Sequence, residues 1–113
     1  MQGADVSAAP TPFVLRTFGG LVLEERTADG NAVAVQRGGK PLALLAYLVA
    51  ADGKRVRRAV LADLLWGDET PESARGSLRQ ALHTLRRWVG EELFEGDRSQ
   101  LALRAGVLDA DYT

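Results

Sequence analysis

The stretch that decides the fold runs from Thr70 to Gly90 and reads TPESARGSLRQALHTLRRWVG. The side-chain oxygen of Thr70 can accept a hydrogen bond from an amide of the first helical turn. Pro71 suits the first helical position, because an N–H there would have no partner within the helix. No further proline follows before Gly90, which provides a stop. The stretch therefore predicts one helix over 71–89, about 28 Å long at 1.5 Å per residue.

The two sides of this helix differ in chemistry. One side is apolar at helical spacing and predicts packing on a core; it carries Ala74, Leu78, Ala81, Leu82, Leu85 and Val89. The other side carries side chains that can meet phosphates and base edges in a DNA major groove, namely Arg75, Ser77, Arg79, Gln80, His83, Thr84, Arg86 and Arg87. An ordinary surface helix with solvated arginines is the alternative, and periodicity alone does not separate the two.

Two shorter helices are predicted upstream. The first begins at Pro41, ends near Asp52-Gly53 and carries apolar residues at helical spacing, Leu42, Leu45, Leu48 and Val49. After an extended segment at 54–56, the second carries Val60, Leu61, Leu64 and Leu65 as its stripe and stops at Trp66-Gly67. These stripes predict one shared core containing Leu45, Leu64, Trp66, Leu78, Leu82 and Leu85.

Strand-like runs flank the helices. Phe13–Phe18, Leu21–Arg26 and Ala32–Gln36 predict an antiparallel sheet, with a hairpin turn at Asp29-Gly30. Near the C-terminal end, residues 93–104 predict a second hairpin around a polar turn that contains Arg98. We therefore expect an α+β fold: a winged helix-turn-helix with an N-terminal antiparallel β-sheet, three helices and a C-terminal β-hairpin as the wing.

Length and composition favour one domain. At 113 residues and 46% hydrophobic composition, the chain can bury one core. We assign residues 13–106 to this domain and predict that residues 1–12, which are small and polar, form a disordered lead-in. No apolar run approaches the roughly 20 residues that span a bilayer, so we expect a soluble, cytoplasmic protein.

The charge is unevenly distributed along the chain. The net charge is -1, but residues 37–89 hold ten Arg and Lys against five Asp and Glu. A basic centre between acidic ends is compatible with DNA binding on one face, although a solvated surface helix would give the same asymmetry.

Further basic residues stand where they could hold neighbouring phosphates. Lys40 lies at the start of the first helix, Arg57 and Arg58 at the start of the second, and Arg98 near the tip of the wing. A merely solubilising role is the alternative for Lys40, Arg57 and Arg58. The predicted DNA-binding residues are therefore Lys40, Arg57, Arg58, Arg75, Ser77, Arg79, Gln80, His83, Thr84, Arg87 and Arg98.

The residue inventory argues against an enzyme. The chain has one histidine and no cysteine, and no close pair of carboxylates attached to a plausible pocket. Gly38-Gly39-Lys40 does not complete a phosphate-binding loop, because Ala34 replaces the required glycine and Pro41 the required Ser or Thr. We expect no catalytic residues, no metal site and no cofactor.

Three segments resemble a known family, the OmpR-type winged helix of the Streptomyces antibiotic regulatory proteins. They are Leu44-Leu45-Ala46-Tyr47-Leu48, then Leu61-Ala62-Asp63-Leu64-Leu65-Trp66, then Pro71-Glu72-Ser73-Ala74-Arg75 leading into Leu78-Arg79-Gln80-Ala81-Leu82 and Leu85-Arg86-Arg87. The resemblance covers roughly residues 13 to 113. It implies a domain of a bacterial transcriptional regulator that binds double-stranded DNA.

The resemblance carries further implications. A bacterial transcriptional activator domain usually follows the winged helix in that family, and 107–113 is similar to its entrance or to a linker. The loop 67–70 is implied to touch RNA polymerase. Direct repeats are implied as targets, so we expect a free monomer that binds DNA in tandem. The alternative function is a winged-helix protein-interaction module without DNA binding, because a fold does not fix a function.

Overall fold

The computed structural model describes residues 13–17 and 20–111, apart from the side chains of residues 110 and 111. Within these ranges the chain forms an α+β fold with three α-helices. In chain order the elements are β1 (Phe13–Arg16), β2 (Val22–Arg26), β3 (Ala32–Arg37), α1 (Lys40–Ala50), β4 (Val56–Arg57), α2 (Arg58–Trp66), α3 (Pro71–Val89), a 3₁₀ turn (Glu91–Leu93), β5 (Phe94–Gly96), β6 (Gln100–Leu103) and β7 (Asp109–Asp111). The predicted disordered lead-in, 1–12, lies outside the described residues.

The strands form two small sheets. The first has the order β3-β2-β1-β7, and its β1–β2 and β2–β3 pairs are antiparallel, as the sequence predicted. Strand β7 was not predicted, and it pairs parallel with β1, placing Leu15 opposite Ala110. The second sheet has the order β4-β6-β5, with both pairs antiparallel. The predicted C-terminal hairpin is therefore present, and the segment between α1 and α2 adds a third strand to it.

One hydrophobic core joins the first sheet to the helices. Leu15 and Leu23 from the sheet are fully buried in the same cluster as Leu45 of α1 and Leu82 of α3. A lone hairpin is marginal in water, so this shared core stabilises the sheet as well as the helices. No helix in the described ranges is long and apolar enough to cross a membrane.

The packing of α2 corrects the predicted core. Leu64 was expected to be buried, but it is 55% exposed. The buried side of α2 is formed by Leu61, Ala62 and Trp66 instead. The helix is turned so that the large indole of Trp66 enters the core and the small Ala62 lies inward, which leaves Leu64 on the outer edge.

Helix α3 has the bounds that the sequence predicted. The Thr70 hydroxyl accepts a hydrogen bond from the Ser73 N–H at 3.2 Å, and Pro71 is the first helical residue. Its inner side is buried at Ala74, Leu78, Ala81, Leu82 and Leu85. The outer side of α3 is therefore exposed along its whole length.

Candidate nucleic-acid interface

A groove of about 1250 Å³ separates α2 and the first half of α3 from the turn of the β5–β6 hairpin. Five arginines among the described residues line it, from β4, α2, α3 and the hairpin turn: Arg57, Arg58, Arg75, Arg79 and Arg98. We call this feature the arginine groove. Three acidic residues of the described ranges also line it, Asp63, Glu69 and Asp97, so this lining carries more positive than negative charge.

Two of the three acidic side chains in the arginine groove are occupied by local hydrogen bonds. The Glu69 carboxylate accepts from the hydroxyls of Ser73 and Ser77, both at 2.9 Å. Asp97 Oδ1 accepts from the main-chain N–H groups of Ser99 at 2.8 Å and Gln100 at 2.9 Å. These carboxylates therefore organise their own turns and are not paired with the arginines.

Hydrogen bonding also favours the charged form of the Asp97 carboxyl in the hairpin turn. The main-chain N–H of Ser99, followed by that of Gln100, lowers the pKa of Asp97 below its ordinary value, and the charge of Arg55 acts in the same direction. Hydrogen bonds to the charged form favour that form. Asp97 is therefore a carboxylate at neutral pH, and it holds the turn that presents Arg98.

Four of the predicted contact residues have partners inside the protein. Lys40 Nζ donates to the Leu65 carbonyl at 2.7 Å and lies 5.6 Å from the Trp66 ring centroid. Arg58 Nε donates to the Asp97 carbonyl at 2.9 Å. The hydroxyls of Ser77 and Thr84 donate to the Glu69 carboxylate and the Gln80 carbonyl, respectively. Each of these side chains holds local structure together.

The other seven predicted contact residues are exposed. They are Arg57, Arg75, Arg79, Gln80, His83, Arg87 and Arg98. In the described part of the chain, none of their side chains makes a hydrogen bond or an ion pair. At 100° per residue, Gln80, His83 and Arg87 form the row of α3 opposite its buried side, whereas Arg75 and Arg79 border the arginine groove.

Ion pairs occur elsewhere on the molecule. Among the described residues, the ion pairs are Arg16–Glu24 at 2.9 Å, Arg26–Asp109 at 3.0 Å and Arg104–Glu92 at 3.8 Å. They join strands of the first sheet or brace the 3₁₀ turn, and none involves an arginine of the groove. Within the described ranges, no carboxylate therefore forms an ion pair with an arginine of the groove.

A second basic feature was missed at the sequence level. A recess of about 400 Å³ beside the hairpin is lined by Arg55, Arg58, Arg86 and Arg104, together with Phe94, Glu95, Gly96 and Leu101. We call it the arginine recess. Arg55 and Arg104 flank the two strands that pair as β4 and β6, and only that long-range pairing brings them together. The position of Arg55 and Arg104 beside predicted extended segments is the sequence signal that indicates them as candidate binding residues.

The loop 67–70 lies at the rim of the arginine groove. Gly67 and Glu69 line the groove, and the Glu69 N–H donates to the Trp66 carbonyl at 3.0 Å. A Cβ on Gly67 would collide with the Asp63 carbonyl, so the close return of the chain after α2 requires glycine there. Asp68 is exposed at the tip of this loop.

Comparisons with known proteins identify no family, so the function is inferred from the sequence and the geometry of the site. No protein-family model matches the chain, and no curated protein matches it. In residues 13–17 and 20–111, no three His, Cys, Asp or Glu side chains form a group that could hold a metal ion.

Proposed function

We propose that this chain is the sequence-specific DNA-binding domain of a bacterial transcriptional regulator, folded as a winged helix-turn-helix. In this proposal α2 and α3 are the helix-turn-helix, α3 enters the major groove, and the β5–β6 hairpin is the wing. The order of the elements supports it, because a short helix and a tight loop precede the long helix, and a hairpin follows it. The resemblance of Leu78-Arg79-Gln80-Ala81-Leu82 to the antibiotic regulatory proteins points the same way.

One observation carries the proposal. Arg57, Arg75, Arg79 and Arg98 come from three different elements to border one groove, and no carboxylate in the described part of the chain pairs with any of them. Unpaired arginines gathered at one surface are suited to a partner with regularly spaced negative charge. The DNA backbone carries one phosphate charge per about 1.7 Å of helix axis, and arginine binds phosphate through a planar fork of donors.

Within this proposal, the side chains have different roles. Gln80, His83 and Arg87 lie on the outermost row of α3 and read base edges, for which glutamine suits adenine and arginine suits guanine. Arg57 and Arg98, which both border the arginine groove beside α3, hold phosphates. The side chains of Lys40, Ser77 and Thr84 donate hydrogen bonds within the protein and have positioning roles, so the DNA contacts that we propose are fewer than those expected from sequence. Arg58 is held through Nε alone, and its terminal Nη groups stay available for a phosphate.

The proposal is tested by binding measured against salt. Genomic fragments retained by the protein are first sequenced to obtain a target, and its affinity is then measured by fluorescence anisotropy over a range of salt concentrations. We expect log affinity to fall linearly with log salt, with a slope of about -0.9 for each phosphate contacted. Arg79→Gln should weaken binding, whereas Arg37→Gln, which removes the same charge from exposed β3, should not. A weak salt dependence, or equal effects of the two variants, argues against DNA.

A second candidate function is supported by one observation on the first sheet. Strand β3 lies at the edge of the sheet and exposes two valines, Val33 at 57% and Val35 at 37%. Exposed apolar edge strands are surfaces on which another chain can pair. A protein-interaction module using β3 would lose its binding in Val33→Lys and would show little salt dependence. This result would favour the second candidate over DNA.

The assembly follows from the first proposal. We infer a cytoplasmic monomer that binds direct repeats in tandem, because one DNA-binding module buries only about 600–1,000 Å² and gains specificity from a second copy. The exposed loop 67–70 is the surface that we propose for RNA polymerase, on the family resemblance and on the exposure of Asp68.

A further inference from the structure

The arginine recess brings four positive side chains together from separate parts of the chain. Arg55 precedes β4, Arg58 begins α2, Arg86 lies in the last turn of α3, and Arg104 follows β6. Among the described residues, the only carboxylate that lines this recess of about 400 Å³ is that of Glu95, which is exposed. The recess is thus small, strongly basic and built from four elements that the fold holds in place.

Three of the guanidinium groups are anchored in ways that leave donors unused. Arg58 and Arg104 each donate through Nε to a main-chain carbonyl at 2.9 Å, that of Asp97 and that of Glu92, respectively. Their terminal Nη groups donate no hydrogen bond within the described residues. The guanidinium carbon of Arg86 stands 5.5 Å from the Phe94 ring centroid, within cation–π range, and its N–H groups donate no hydrogen bond within the described residues.

The described residues leave the recess with an excess of positive charge. Burial, followed by the charge of Arg86, lowers the pKa of Arg58 below its ordinary value, although Asp97 acts in the opposite direction. The Glu92 carboxylate is 3.8 Å from Arg104 and its side chain is 84% exposed, so water screens most of that ion pair. An anion in the recess would relieve the repulsion between Arg58 and Arg86.

We propose that the arginine recess is a binding site for a phosphate group. Guanidinium groups supplied from several directions suit the oxygens of a tetrahedral phosphate, and each pair of N–H groups can bind two of those oxygens. A planar carboxylate has only two oxygens and would leave most of these donors unused. The phosphate comes either from a small phosphorylated molecule or inorganic phosphate, or from the backbone of DNA held beside the recess, because Arg58 lines both the recess and the arginine groove.

The first arm of the test uses inorganic phosphate without DNA, so it does not depend on the proposed function. Thermal unfolding and calorimetric titration are carried out in phosphate and in chloride at equal ionic strength. A ligand that binds the folded state raises the melting temperature with its concentration. We expect phosphate to stabilise the protein over chloride, and Arg55→Gln to weaken phosphate binding about tenfold, the loss expected for one charge-assisted hydrogen bond.

The variants are chosen so that folding does not confuse the result. Arg55 is exposed and its side chain makes no hydrogen bond in the described part of the chain, so Arg55→Gln should fold normally. Arg86→Gln removes a second recess charge but also the Phe94 contact, and serves as confirmation. Arg37→Gln is the matched control, because it removes one exposed charge on β3 and should retain phosphate binding.

The second arm separates the two sources of the phosphate. If the recess holds a DNA phosphate, Arg55→Gln should reduce the salt slope of DNA binding by about one unit. If it holds a free phosphate, the salt slope should be unchanged while the phosphate effect on stability is lost. The proposal is overturned if Arg55→Gln changes neither the salt slope of DNA binding nor the stabilisation by phosphate. It is also overturned if phosphate stabilises wild type, Arg55→Gln and Arg37→Gln equally.

Discussion

Arg58 Nε donates a hydrogen bond to the main-chain carbonyl of Asp97 at 2.9 Å, and this contact ties the first residue of α2 to the turn of the β5–β6 hairpin. The contact spans 39 residues of sequence, and the Arg58 N–H also donates to the Ser99 carbonyl at 2.8 Å. Arg58 therefore fixes the position of the hairpin turn relative to α2, which lines the arginine groove. Arg98, at the tip of the turn, takes its position from this attachment.

Loss of the Arg58 side chain should loosen the hairpin turn without unfolding the helices. In Arg58→Gln, we expect amide hydrogen exchange at Gln100 to become about tenfold faster, since one charged hydrogen bond is removed. Amides in the middle of α3 should keep their wild-type rates. Arg37→Gln, which removes one exposed charge on β3, is the control for the change of charge. If Arg58→Gln leaves the Gln100 amide as protected as in wild type, Arg58 does not restrain the turn.

Two leucine substitutions should lower the free energy of unfolding by very different amounts. Leu82 is 1% exposed, so Leu82→Ala should reduce the free energy of unfolding by about 2 to 5 kcal/mol through lost burial and the cavity left behind. Leu64 is 55% exposed, and Leu64→Ala should cost less than about 1 kcal/mol. Chemical denaturation of both variants measures the difference. If Leu64→Ala lowered the free energy of unfolding as much as Leu82→Ala, Leu64 would have to be buried and α2 would pack on its other side.

The hairpin turn should make stability depend on pH in the acid range. The lowered pKa of Asp97 means that its carboxylate stabilises the folded state above the unfolded-state pKa, and that this contribution is lost as the pH falls through the folded-state pKa. Asp97→Ala removes the contribution. We therefore expect wild type to be more stable than Asp97→Ala at about pH 6, with the difference shrinking toward about pH 2. A difference in urea midpoints that is constant over this range would exclude this role.

Phosphate contacts and base contacts should separate by mutation. Arg57→Gln should weaken binding to all DNA sequences alike and reduce the salt slope by about one unit. Gln80→Ala should change the preference among target variants, since this side chain lies in the outermost row of α3. Both variants are measured by anisotropy on the same panel of targets. An unchanged preference in Gln80→Ala would remove Gln80 from the base-reading set.

The spacing of half-sites should control cooperative binding. Two copies that meet the same face of the duplex need half-sites about 10 to 11 base pairs apart, centre to centre. Inserting about five base pairs should abolish cooperative binding in a gel-shift series, whereas inserting about ten should largely keep the two sites on one face. A stable dimer by light scattering in the absence of DNA would contradict the tandem model, as would indifference to the shorter insertion.

Local signals made the bounds of α3 predictable. Thr70, Pro71 and Gly90 act on their immediate neighbours, so their effect can be read without knowing the rest of the fold. The amphipathic pattern of α3 was equally reliable, because its polar and apolar sides are sharply separated. The exposed arginines on the outer side of α3 followed directly from that pattern.

Long-range contacts explain what the sequence did not predict. The rotation of α2 depends on how Trp66 fits the core, so Leu64 was misplaced even though the helix itself was expected. Strand β7 forms by pairing with β1, and the sequence of residues 109–111 alone does not predict a strand. The internal partners of Lys40 and Ser77 are supplied by Leu65 and Glu69, and only the folded chain brings these groups within hydrogen-bonding distance.

The contrast between paired and unpaired arginines has a consequence for the rate of association. The molecule is nearly neutral overall, with a net charge of -1, yet unpaired positive charge is gathered at the arginine groove, and most acidic residues lie outside 37–89. Positive charge gathered at one groove gives that surface a positive potential, which attracts a polyanion before contact. A greater share of first encounters then occurs with the groove facing the polyanion. A small net charge is therefore compatible with fast, directed capture.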